Sequence, residues 1–401
     1  MEGIYLVGRG DWQPPLARRD PLWQAGRLVP SFSRNPALLH RPGAGLMAEE
    51  GSTTRLVQLC AGYFLTYLFT GVAVKYFQGS AAAGLPDMHD VTFLVYSTAG
   101  GMGICALVVV VLGWWRFPST DRVSPLGLSV PRELLYIVPS GLCTAVVIPT
   151  TTMMYSLPIT VMVAMVIMRG SIIVVSRLVD AIQIHQGILT RRVYWEENAG
   201  VVLALAAVSV HLIGAGAGGF DFLSNATAVS ILGAYIVAYA LRIYVMNYFK
   251  NTRTSSSGAD NRNFFAAEQL SAMVFAGLGL GWFLNTGTES ATIARAAIVT
   301  PHADWAPAIG AGAVFGVVAF FSVFIFMFKG RTATFVGLVN RLTSLIAGTG
   351  ATLVVHFVFG GKAPKLEDWV SLAIILAAVA LLTRSERRRA AELQAEKLRS
   401  A

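Results

Sequence analysis

The sequence predicts an all-α membrane protein with ten transmembrane helices arranged as two inverted five-helix repeats. Three observations carry that prediction. Of the 401 residues, 55% are hydrophobic and only 13% are charged, too few charges to clothe a soluble chain of this length. Ten runs reach the roughly 20 mostly apolar residues that a bilayer crossing needs: 56–76, 92–115, 133–154, 157–183, 196–215, 223–247, 264–284, 305–328, 331–357 and 366–383. Two of these runs carry an arginine near the middle, Arg169 in the fourth and Arg341 in the ninth. An arginine at that depth costs roughly 2.5–3.5 kcal/mol on the insertion scale, so each needs a polar cavity, a partner or an anionic ligand.

Taken in order, residues 1–54 stand apart. Their first 46 hold many Pro and Arg residues and no apolar run, which excludes a signal peptide. We expect a disordered cytoplasmic tail, a transit segment or a misassigned start, the last because Met47-Ala48-Glu49-Glu50 would make an ordinary amino terminus. Residues 55–215 form the first expected repeat. Pro139, Pro149 and Pro158 interrupt or bound its third and fourth spans, and neighbouring helices can satisfy the freed carbonyls. Residues 216–383 form the second repeat, entered through a flexible link with Gly214, Gly216, Gly218 and Gly219. An odd number of spans per half forces opposite orientations, the inverted-repeat design of many secondary transporters.

Four matches between the halves support the repeat. A very short link precedes each arginine span: Tyr155–Leu157 in one half, Lys329-Gly330 in the other. His185 follows Arg169 by sixteen residues and His356 follows Arg341 by fifteen. Trp195 and Trp369 open the last span of each half. Within those spans Leu205-Ala206-Ala207-Val208 recurs as Leu376-Ala377-Ala378-Val379.

Basic residues set the orientation. Connections with Arg116, Arg122 and Arg132, with Arg191 and Arg192, and with Lys250, Arg253 and Arg262 alternate with poorer ones. Both termini are therefore expected to be cytoplasmic. Arg295, Lys362 and Lys365 lie against that trend. Residues 384–401 form a charged cytoplasmic tail that can extend the last span as a solvated helix, its arginines binding lipid headgroups or enforcing topology.

On the fourth span Met162, Arg169, Ser176 and Asp180 share one helical face. Arg177 and Asp180 alternatively pair at i,i+3 and only anchor the helix end. On the ninth span Thr334, Gly337, Arg341, Gly348 and Thr352 cluster around one direction. They describe either a cavity wall or close packing through the glycines, with Arg341 bonded to carbonyls. The planar guanidinium suits phosphate or carboxylate. Arg169 and Arg341 are thus the expected anion ligands, with Asn340, Ser176, Thr334 and Gly337 lining the site, and Gly330, Gly337 and Gly348 letting gating helices bend or approach closely.

Glu268 is a candidate gate, proton carrier or counter-ion to Arg341, or else an interfacial carboxylate; Asp180 is a second candidate for coupling or gating. Lys75 and Arg242 are expected to snorkel to the membrane edge. Tyr235, Tyr239 and Tyr244 either stack on a ligand ring or simply pack. His211 fits a satisfied core histidine. Asn225-Ala226-Thr227 fits a glycosylation acceptor but abuts the membrane. Cys60, Cys105 and Cys143 lie in apolar runs with no metal spacing. No Walker loop and no nucleophile with a base at usable spacing occurs, so no enzyme activity, cofactor or nucleic-acid partner is expected.

Leu157-Pro158-Ile159-Thr160, then Arg169 and Asp180, together with Gly337-Leu338-Val339-Asn340-Arg341, resemble the drug/metabolite transporter superfamily and, within it, the nucleotide-sugar transporters. The ninth-span motif is similar to the Gly-x-x-Asn-Lys of the GDP-mannose branch. Gly170 stands where that family often has Asn, and Phe264-Phe265-Ala266-Ala267-Glu268 lacks the branch's aromatic-Asn motif. The resemblance implies transport by alternating access, often a nucleotide sugar exchanged for the nucleoside monophosphate. An exporter of amino acids or small metabolites is the second expectation, and a non-transporting receptor or assembly factor the third. The expected partners are a small anionic solute and the lipid bilayer, with monomer and homodimer both open. A bacterial inner membrane fits the Ala/Gly/Arg-rich composition; a Golgi or endoplasmic-reticulum membrane fits the resemblance.

Overall fold

The computed structural model describes residues 53–116, 122–124, 127, 129–189, 194–213, 222–252, 260–328 and 333–400. They lie in one compact unit, Met47–Ala401. The amino-terminal 46 residues, the Gly214–Gly219 link and Gly330 fall outside the described residues.

The chain is a bundle of helices: α1 (Thr53–Phe77), α2 (Asp90–Val111), α3 (Leu134–Ser156), α4 (Val161–His185), α5 (Trp195–Ile213), α6 (Ala226–Thr252), α7 (Asn261–Phe283), α8 (Glu289–Val299), α9 (Trp305–Phe326), α10 (Ala333–Phe359) and α11 (Leu366–Ser400). Among the described residues nine helices are long and apolar enough to cross a membrane. This is an integral, multi-pass, all-α membrane protein. Its flanks agree: Leu65, Val111, Trp282, Phe357 and many other large apolar side chains are exposed, a surface that lipid tolerates and water does not.

Polar residues place the helix ends. Thr160 caps α4 by accepting the Val163 N–H, directly after Pro158, which cannot continue α3. Asp260 and Asn263 form a reciprocal capping box at α7. Pro139 and Pro149 lie inside α3 rather than ending it. Three features are additional to the expected spans. A two-residue antiparallel hairpin, β1 (Arg122–Val123) with β2 (Val130–Pro131), lies between α2 and α3. The connection expected around Arg295 folds as α8, which buries Ala291, Ala294 and Ala297 on one face. The last span continues to Ser400 as one 35-residue helix, and Arg388 of its polar end bonds Glu196 of α5 at 2.6 Å instead of facing only headgroups.

The packing interleaves the two halves. α2 lies against α9, α3 against α7, α1 against α10, α4 against α6, α5 against α11, and α4 against α10. The α2–α9 crossing is a close one. A Cβ at Gly316 would land on the Gly101 carbonyl, and one at Gly312 on Ser97 backbone, so only glycine permits this approach. α4 is the axis of the bundle: 72% of its spanning window is buried, against 33–44% for the other spans.

Candidate functional site

Both arginines point inward. Arg169 is 2% exposed and Arg341 is 0% exposed. Arg169 donates through Nη1 to the Tyr235 hydroxyl at 2.9 Å and through Nη2 to the Tyr67 hydroxyl. Its guanidinium carbon lies 5.0 Å from the Tyr67 ring centre. Arg341 donates through Nη1 to Asn340 Oδ1 at 3.0 Å, and its guanidinium sits 4.8 Å from the Tyr239 ring and 5.1 Å from Phe326. Cation–π contact of this kind contributes about 2 kcal/mol when desolvated. It spreads the charge without cancelling it. Among the described residues neither arginine has a carboxylate partner, and Arg169 Nε and Arg341 Nε and Nη2 lack any hydrogen-bond acceptor.

Four tyrosines complete the site, and their sequence positions share the offset of the two arginines. A spacing of 172 residues separates Tyr63 from Tyr235, Tyr67 from Tyr239, and Arg169 from Arg341. The contacts repeat as well: each arginine lies over the second tyrosine of its own half's Tyr-x-x-x-Tyr pair. The first tyrosine of each pair serves the other half, Tyr235 on Arg169 and Tyr63 on Asn340 beside Arg341 at 3.2 Å. Sequence reading missed Tyr63 and Tyr67. The doubled Tyr-x-x-x-Tyr at the arginine offset was the available signal.

In place of a cavity shared by both arginines, this structure has a small one whose lining includes Arg169 but not Arg341. A cavity of about 50 Å³ touches Arg169, Tyr63, Tyr67 and Tyr239, room for a few waters rather than a metabolite. Its wall is mostly apolar, but Arg169, Thr144 and Gln269 also line it, and each keeps a buried polar atom with no protein partner. Close contacts between α4 and α10 flank the arginine layer. On one side a Cβ at Gly348 would meet Met165 Cγ at 2.5 Å; on the other, one at Gly337 would meet Ser176 Oγ at 3.0 Å. Thr352 joins the first contact by accepting the Met162 N–H at 2.9 Å.

The other expected lining residues are distributed as follows. Asn340 is fully buried and engaged with Arg341, Tyr63 and Ser322. Ser176 is buried, its hydroxyl without an acceptor. The side chain of Thr334 lies outside the described residues. Asp180 is buried about one turn beyond Ser176 on α4, facing Asn247. Arg177 sits 3.8 Å from Glu197 of α5, so its ionic contact reaches across helices and not only along its own.

Three expectations are corrected. Arg242 does not snorkel: it is 3% exposed and grips Glu268 through two 2.8 Å bonds, Nε to Oε1 and Nη2 to Oε2. Glu268 is accordingly neither interfacial nor the counter-ion of Arg341; it is 0% exposed, and Ser140 donates to it at 2.6 Å. Gly141 makes this possible, because a Cβ there would stand 2.8 Å from the Glu268 carbonyl, where the α7 backbone now runs. Lys75 likewise turns into the bundle mouth and donates to the Leu157 carbonyl at 3.0 Å. Gly170, the departure from the resemblance, sits where Val208 of α5 fills the Cβ position. The space an Asn would need belongs to a neighbouring helix.

No protein-family model and no curated protein matches the chain. Solved structures do match. One, described only as the crystal structure of a protein, is similar over 84% of this chain and 99% of its own, with 18% identity and a TM-score of 0.50. At that identity the likeness concerns the fold alone.

Proposed function

We propose that this protein is a secondary transporter for a small anionic metabolite, working by alternating access between two inverted five-helix repeats. The observation that carries this reading is the pair of buried guanidiniums, one from each half, with no carboxylate partner among the described residues. Leaving a charge buried without a counter-charge costs several kcal/mol. A fold that does so twice at one place is suited to a ligand that brings negative charge.

The helix packing supports the repeat. Exchanging each helix for its counterpart in the other half turns the α2–α9 pair into α7–α3 and the α1–α10 pair into α6–α4, while α4–α10 and α5–α11 map onto themselves; all of these pairs occur. Such a bundle opens to one side by parting α4 from α10 at the Met165–Gly348 contact, and to the other at Ser176–Gly337. The orientation we propose places both termini in the cytoplasm, on the positive-inside argument. A nucleotide sugar exchanged for its monophosphate is the substrate pair that the resemblance suggests. The membrane is a bacterial inner membrane or, on the resemblance, that of the Golgi or endoplasmic reticulum. A proton-driven exporter is less favoured, because Glu268, its natural carrier, is held by Arg242 and Ser140.

A thermal-shift screen against nucleotides, nucleotide sugars and amino acids identifies the ligand, since saturation at 100 times Kd adds about 2.7 kcal/mol of stability. Uptake of that ligand into liposomes then tests the mechanism. Arg169→Ala and Arg341→Ala each abolish flux on this reading, and parental rates in both would sink it.

A further inference from the structure

The end of the bundle at which α1 finishes contains a larger cavity, of about 340 Å³, whose lining does not include Arg169 or Arg341. α1 ends there and α11 begins just beyond it. Lys75 and Lys362 both line it. Their ammonium groups converge on two successive carbonyls, Lys75 on Leu157 at 3.0 Å and Lys362 on Pro158 at 3.2 Å. Two like charges brought to adjacent carbonyls repel one another. No Asp or Glu is among the lining residues. The amide of Gln78 and the capped amino terminus of α4, at Thr160 and Val161, complete the wall. A helix amino terminus adds partial positive charge to the two full ones. Between this cavity and Arg169 lies the Met162–Thr352 and Met165–Gly348 layer, so the two positive sites do not communicate in this structure.

We propose that this mouth is a second anion-binding site, which takes the phosphoryl or carboxylate group of a small solute between Lys75 and Lys362. Its volume falls in the range of small-molecule pockets, about 300–1,000 Å³. The site also accounts for Lys362 lying against the positive-inside trend: the residue serves a pocket and not the topology. If transport by the arginines holds, this is the first stop for the anion at that face. The binding claim itself does not depend on transport.

Full-length protein in neutral detergent, at constant ionic strength, gives the test by thermal shift with inorganic pyrophosphate. Pyrophosphate raises the melting temperature of the parent and of Arg169→Gln/Arg341→Gln, which lacks the central charges. The shift is lost in Lys75→Gln and in Lys362→Gln and kept in Lys362→Arg. Lys362 is exposed, so its substitution leaves the fold intact and the result readable even where the Lys75 variant does not fold. A shift that survives Lys362→Gln but vanishes in the arginine pair overturns this site while leaving the central one standing. Absence of any shift in the parent overturns it too. A parallel series with phosphatidylglycerol against phosphatidylcholine in mixed micelles separates the sources: stabilisation by phosphatidylglycerol alone assigns the pocket to a lipid headgroup and overturns the solute reading.

Discussion

Removing one partner of the Arg242–Glu268 pair is expected to destabilise the protein by about 3–5 kcal/mol, because the other charge is then stranded in the interior. The structure gives the reason in parts. Glu268→Ala deletes two charge-assisted bonds of 2.8 Å each and leaves Ser140 without its acceptor. Hydrogen bonds to charged groups are worth about 1.5–3 kcal/mol apiece, so the two guanidinium bonds alone reach the lower part of that range. The same two residues paired in the open at the membrane edge would be worth about 0–1 kcal/mol. The two pictures therefore differ by several-fold. The assay is reversible or kinetic unfolding in detergent of Arg242→Met, Glu268→Met and the double variant, read as a double-mutant cycle. The double variant should recover much of either single loss, since apolar residues of similar volume replace a buried pair at little cost. Single losses below about 1 kcal/mol, or a double variant no better than the singles, would falsify the buried-pair account.

Two further outcomes follow from the packing and from the tyrosines. Gly316→Val should prevent assembly of α2 on α9, because the new side chain occupies the Gly101 carbonyl and Ile104; loss of the monodisperse peak in size-exclusion chromatography checks this, and Gly310→Val, facing open space, is the control that should elute normally. Tyr235→Phe removes the hydroxyl that accepts from Arg169 and should cost about 1.5–3 kcal/mol in detergent unfolding; a change within measurement error would mean that Arg169 finds another acceptor.

Much of the architecture was legible because bilayer crossing demands long apolar runs, and those survive in any single sequence. The two arginines were legible for the complementary reason: a charge near the middle of such a run is too costly to stand without a partner, a cavity or a ligand. What was not legible is what each polar group meets. Arg242 lies toward one end of its span by counting residues, yet Gly141 lets α7 come close enough to α3 for Glu268 and Ser140 to reach it. No local pattern encodes that meeting. Lys75 shows the same limit, since a lysine near a helix end snorkels outward unless carbonyls wait inward, and Leu157 supplies one from 82 positions away. The α2–α9 crossing went unread, although Gly312 and Gly316, four residues apart, carry the small-residue spacing of a close helix contact.

The tyrosines connect the arginine site to the anion reading. A guanidinium offers five N–H donors and no acceptor. Arg169 satisfies Nη1 and Nη2 with neutral hydroxyls and leaves Nε unbonded; Arg341 satisfies Nη1 with an amide oxygen and turns its face to two rings. Neutral acceptors meet the geometric need of the donors but not the charge, so this arrangement leaves positive charge that the proposed anionic ligand would offset. An entering oxyanion competes with the same hydroxyls for the same donors. Tyr235→Phe should then act in opposite senses on two readouts: it lowers the stability of the empty protein, and it enlarges the stabilisation that a bound anion confers, because less is displaced when the anion arrives. A purely structural tyrosine predicts the first effect without the second.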